Sequence, residues 1–193
     1  MVLLPETTQP EDDPLYRSLI EYDGGRHGGR AIARIITSWY HGDSVLPAWL
    51  GLKDAAEFER FRTWYFPTMT WGDDPVVQMS LSTELLAEKD DLVDYMLNYR
   101  VGKQTSEFWV AEIIATGCLG SDHLWRDLGL WSRDDLTELI ALYFPALAEL
   151  NNQNMKWKKF LYRQLCMMDG SYTCRSPSCE VCIDYEKCFG PEE

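Results

Sequence analysis

Four cysteines, Cys174, Cys179, Cys182 and Cys188, fall within fifteen residues in the spacing C-x4-C-x2-C-x5-C. Thiolates bound to one metal centre must converge within a few ångströms, and short spacers in irregular backbone allow it. Pro177, Gly170 and Gly190 oppose helix continuation through this stretch. A cytosol that keeps thiols reduced favours a metal site over a disulfide knot, and so dense a cluster argues against four merely buried thiols. Zinc sites favour two separated pairs of ligands, whereas here three thiols lie close together and a fourth follows six positions on. The first three reproduce part of the plant-type ferredoxin spacing, but the fourth ligand of that motif lies far downstream. Spacing therefore favours an iron–sulfur or other soft-metal cluster, with zinc as the alternative.

The segment before the cysteines has its own charge. Between Asn151 and Met168 stand Lys156, Lys158, Lys159 and Arg163 and no acid, so the remainder of the chain sets 14 basic residues against all 31 acids. A cationic face here would offset the negative charge of a metal held by four thiolates. It would equally serve as a solvated face or as a docking surface for an acidic partner.

Other candidates carry weaker signals. Cys166 lies within reach of the cluster in sequence, and Cys118 ends an apolar helical pattern; both read as small buried hydrophobes. His123 follows Asp122, a neighbour that can orient an imidazole toward metal, although a structural histidine is the plainer reading. The run Gly24-Gly-Arg-His-Gly-Gly-Arg30, just before a predicted helix, could offer backbone N–H groups to an oxyanion, but a turn is favoured. Pairs such as Asp73-Asp74, Asp90-Asp91 and Asp134-Asp135 read as helix starts or solvent-facing acids. No G-x-S-x-G, H-E-x-x-H or Walker motif occurs, and no catalytic constellation emerges. No enzymatic activity is expected from these residues.

These groups must be positioned by helices. Apolar residues recur at i, i+3, i+4 and i+7 from Ala31 to Tyr40 (Ile32, Ile35, Ile36, Trp39), and a similar stripe predicts a helix over Asp54 to Phe66. Helices are also predicted over Ser82 to Tyr99, with a bend or break at its charged middle, Glu88 to Asp91, and over Thr105 to Cys118, ended by Gly117 or Gly120. Ser132 and Asp135 resemble a capping box ahead of Leu136, Leu139, Ile140 and Tyr143. After Pro145 the helical pattern runs on to Asp169. No alternating β-branched run and no internal repeat appears. The predicted architecture is all-α: a flexible acidic tail over 1–14, a compact single helical domain over 15–170, and an irregular cysteine-rich metal loop over 171–193 that belongs to the same domain.

Composition narrows the partners. The 193 residues carry 18 Lys plus Arg against 31 Asp plus Glu, a formal charge of −13. That field repels nucleic-acid phosphates and anionic lipid, so neither is an expected partner. No apolar run approaches the roughly 18 residues of a membrane span, and a cytoplasmic location is expected.

The stretch Asn154-Met-Lys-Trp-Lys-Lys-Phe-Leu-Tyr-Arg-Gln-Leu-Cys166, followed by Cys174, Ser-Pro-Ser, Cys179, Cys182 and Cys188-Phe-Gly, resembles the C-terminal signature of the NifQ family of nitrogen-fixation proteins. His123-Leu-Trp-Arg-Asp-Leu-Gly-Leu130 resembles a second stretch of that family. The resemblance implies a molybdenum donor that carries the metal within an iron–sulfur cluster for the nitrogenase iron–molybdenum cofactor. It implies Cys174, Cys179, Cys182 and Cys188 as the ligands of a Mo–Fe–S cluster. The partners it implies are the scaffold complex NifEN, the Fe protein NifH, and molybdate or another molybdenum source.

Overall fold

The apolar stripe at Ile32, Ile35, Ile36 and Trp39 is what a helix buried on one face requires. In the computed structural model, which describes residues 10–75, 83–102, 104–168 and 185–189, it forms α2 (Gly29–His41), with all four side chains buried. α2 is preceded by α1 (Pro14–Glu21), whose first turn is closed by the Asp13 carboxylate accepting from the backbone N–H groups of Leu15 and Tyr16. Residues 10–14, assigned by sequence to the acidic tail, are held here by Asp13 on His41 (2.8 Å) and Asp12 on Arg17.

α3 (Ala55–Tyr65) starts at Asp54, whose side chain accepts from Glu57 N–H at 2.8 Å. α4 (Thr83–Leu97) runs without interruption through the charged middle that the sequence marked as a break. The reason is that Lys89 turns inward: its ammonium donates to the Gly51 carbonyl at 2.8 Å and pairs with Glu112. Burying that charge with partners removes the penalty that would have broken the helix. α5 (Ser106–Cys118) is the most enclosed element, with Trp109, Val110, Ile113 and Ile114 in the core, while Phe108 faces out under the Arg100 guanidinium.

The short α6 (Leu124–Asp127) leads into α7 (Arg133–Tyr143), and the capping box there is complete. Asp135 N–H donates to Ser132 Oγ, and Ser132 N–H donates to the Asp135 carboxylate. The single helix expected from Pro145 onward is two: α8 (Pro145–Leu150) and α9 (Trp157–Met168). Asn151 makes the break. Its side-chain oxygen accepts from Met155 N–H and its amide donates to Met155 O, while Asn154 takes a left-handed φ of 57°. Such side-chain bonds offer the backbone an alternative to the helix ladder.

The last described element is α10 (Tyr185–Phe189). α4 packs against both α5 and α9, so one core is shared by the middle and the end of the chain. On α9, Trp157, Phe160 and Leu161 are buried, each worth roughly 1.5–3 kcal/mol of transfer free energy. No strand occurs among the described residues, and no helix among them is long and apolar enough to cross a membrane.

Candidate metal-cargo site

Of the four predicted ligands, Cys174, Cys179 and Cys182 lie outside the described residues, and Cys188 lies within them. Cys188 sits on α10, half-buried, and with Phe189 it packs on the main core. Its carbonyl oxygen accepts from the backbone N–H of Lys156 at 2.7 Å. That bond falls at the start of α9, where the first N–H groups of a helix have no intrahelical partner. The end of the cysteine segment is thereby fixed to the first turn of the basic helix.

Beside this junction is a cavity of about 500 Å³, walled by α9, the α5–α6 connection and α10. Four ammonium groups line it, Lys156, Lys158, Lys159 and Lys187, together with His123. Lys158 is the architectural one. Its ammonium donates to the carbonyls of Gly120 (2.9 Å) and Asp122 (2.8 Å) and pairs with Asp127, whose side chain is only 2% exposed. The wall can close this far only because residue 120 has no side chain: a Cβ there would lie 2.5 Å from Asp127 Oδ2. Gly117 has a similar function inside α5 and does not end it, since a Cβ there would meet Leu128 Cδ2 at 2.7 Å.

Asp122 does not orient His123 in the way sequence adjacency suggested. Its Oδ1 accepts from the backbone N–H of His123 at 2.6 Å, and Arg126 lies 3.7 Å from its other oxygen. That N–H first, and Arg126 with it, holds the exposed Asp122 carboxyl below its ordinary range. His123 nonetheless faces the cavity, at the entry to α6.

Tyr162 closes the floor, its hydroxyl donating to Glu88 with the Cys118 carbonyl 3.3 Å away. Burial, and then the bond to Glu88, pushes the Tyr162 phenol well above its ordinary value. Cys118 is fully enclosed beneath, and burial pushes its thiol up to about 12. A thiol so protonated and inaccessible is a packing residue, as its sequence context indicated. Cys166, half-buried on α9, does not line the cavity.

The Gly24–Arg30 segment forms a closed turn. Gly24 N–H donates to Tyr65 O at 2.9 Å, Arg26 stacks over Trp64, and the Tyr143 hydroxyl donates to His27 O. The start of α2 is already faced by a carboxylate of the chain, because a Cβ on Gly29 would lie 2.6 Å from Asp23 Oδ1. The neighbouring cavity balances Arg26, Arg30 and Arg34 against Asp23, Asp135 and Glu138, so it has no net preference for an anion.

Among the described residues no three His, Cys, Asp or Glu side chains converge to hold a metal ion. Cys188 is the described soft donor that follows Lys187 of the cavity wall, and the cavity lining is net positive. Those surroundings fit an anionic sulfide-based unit.

Fold and site define a helical protein in which a basic cavity adjoins the root of a cysteine-rich segment. The chain belongs to the NifQ family of nitrogen-fixation proteins: the family model matches residues 31–190. It is 44% identical to Protein NifQ of Azotobacter vinelandii, over 83% of this chain and 87% of that one. It is 43% identical to Protein NifQ of Rhodobacter capsulatus over 52% of this chain and 56% of that protein. With Protein NifQ of Klebsiella pneumoniae it shares 49% over 42% and 48% of the respective chains. No solved structure matches.

The sequence signal for this site was the four-cysteine spacing and the lysines of the preceding helix. Asp127, Gly120 and Tyr162 were not legible as its supports, since each acts through partners 31 to 74 positions away.

Proposed function

We propose that this protein is a carrier, not an enzyme, that holds molybdenum within an iron–sulfur unit and delivers it for biosynthesis of the nitrogenase iron–molybdenum cofactor in the cytoplasm. The cluster is cargo. Cys174, Cys179, Cys182 and Cys188 would hold it, and the receiving partners would be the scaffold complex NifEN and the Fe protein NifH. The observation that carries the reading is the bond of 2.7 Å between Lys156 and Cys188. It fixes the backbone of the one described candidate ligand to the first turn of α9, next to a cavity lined by four lysines, in a chain of net charge −13. Family membership supports the same reading.

The physical requirements of a carrier differ from those of an enzyme. Soft thiolates bind a sulfide-bridged metal firmly, yet can be replaced by incoming sulfur ligands. Nearby ammonium groups lower the electrostatic cost of assembling several anionic sulfurs, and release is easiest from a segment near the surface. α10 places Cys188 at such a position, half-buried.

Anaerobic purification followed by metal and sulfide analysis tests this. The expected result is a brown protein containing iron, acid-labile sulfide and molybdenum. A colourless protein with one tightly held zinc would instead indicate an architectural metal in an interaction module. Redox cycling of an iron–sulfur centre that never takes up molybdenum would indicate electron transfer.

A further inference from the structure

The cavity beside Cys188 holds more positive charge than its structural role uses. Lys158 is fully engaged by two carbonyls and the buried Asp127. The two acids that line the cavity are engaged elsewhere, Glu88 by the Tyr162 hydroxyl and Asp122 by the His123 backbone N–H and Arg126. Lys156 and Lys159 form no ion pair with any of the described residues. With Lys158 matched by Asp127, the lining sets the ammonium groups of Lys156, Lys159 and Lys187 against Glu88 and Asp122, in a protein that is otherwise strongly acidic. Like charges gathered around a concave site repel one another unless an anion enters, and such a site concentrates anions from solution.

We infer that this cavity is a binding site for a free tetrahedral oxyanion of the molybdate class, held by Lys156 and Lys159 with His123 beside them, separate from the thiolates. Ammonium groups give charge-assisted hydrogen bonds to oxyanion oxygens, and a volume of about 500 Å³ accommodates such an anion with part of its hydration shell. The choice of molybdate rests on the proposed function; the cationic lining does not. Two sources could present this anionic chemistry, the free oxyanion or a cluster already on the cysteines, and the experiment separates them.

The four cysteines 174, 179, 182 and 188 are changed to serine in the full chain, which then lacks all four proposed cluster ligands. Binding of labelled molybdate is measured by equilibrium dialysis. About one saturable equivalent is expected, weakening as salt rises because the contacts are electrostatic. Adding Lys156→Gln and Lys159→Gln should reduce affinity about tenfold or more, whereas Lys156→Arg with Lys159→Arg should retain it. Both glutamines keep the fold, since the Lys156 contact to residue 188 is through the backbone, and circular dichroism checks this. No saturable molybdate in the serine chain, or binding indifferent to the two glutamines, overturns the inference. Absence of iron from the cysteine-intact chain counts instead against the cargo reading, and leaves the oxyanion measurement standing on its own.

Discussion

The Lys158 ammonium and the Asp127 carboxylate pair inside the wall of the cavity, 31 positions apart in sequence, with the acid almost wholly removed from water. The pair joins α9 to α6 and, through the Gly120 and Asp122 carbonyls, to the end of α5. It holds His123 and the lysines of α9 on one cavity.

Breaking that pair from one side should be costly. Lys158→Ala leaves Asp127 charged and buried without its cation, and a loss of about 3–5 kcal/mol is expected, read as a lower urea midpoint. Adding Asp127→Ala to Lys158→Ala should recover part of it, because no uncompensated charge remains.

Gly120→Ala would drive a methyl group into the Asp127 carboxylate. Expected destabilisation is about 1–3 kcal/mol by the same measurement. Gly72→Ala, where a Cβ meets nothing within 4 Å, should change stability by no more than about 0.5 kcal/mol.

These two supports show where sequence reading stops. The stripe of Ile32, Ile35, Ile36 and Trp39 was legible because a helix repeats its buried face locally, and the Ser132–Asp135 capping box because its partners are three residues apart. The all-α class followed from such local patterns. The break at Asn151–Asn154 was not, because a run of polar residues fits a solvated helix as well as a side-chain-bonded turn. Lys89 looked like a solvent charge until its partners, Gly51 and Glu112, were brought to it by the fold. The lysine run identified the charge of the cavity. The cavity, its floor at Tyr162 and the inclusion of His123 depend on contacts between distant segments, which no local pattern encodes.

Cys118 should behave as a packing residue. With its thiol pushed up to about 12 by burial, it should resist iodoacetamide in the native protein at pH near 8 and react only after denaturation. Mass spectrometry of the labelled peptides reads this. Cys118→Ala should leave iron content at the level of the unmodified protein.

Buried phenols predict the alkaline limit of stability. Burial first, and then the neighbouring Tyr143 at Tyr65 and the hydrogen bond to Glu88 at Tyr162, raises the pKa of both phenols above that of a free phenol. Their folded values exceed their unfolded ones, so the contribution is complete below the unfolded value of about 10 and is lost as pH rises from there through the folded values. The urea midpoint should therefore fall as pH climbs above about 10, with phenolate absorbance appearing alongside unfolding. Tyr162→Phe should make that fall shallower.

The most direct test of the carrier account is transfer. Protein loaded with radioactive molybdenum under anaerobic conditions is mixed with NifEN and NifH, the proteins are separated, and the label in each is counted. The account predicts that label leaves this chain and appears in the acceptor, and that Cys182→Ala neither retains label nor passes it on. Label that stays bound through prolonged incubation with both acceptors, or an alanine variant that delivers as much molybdenum as the unaltered chain, would contradict it.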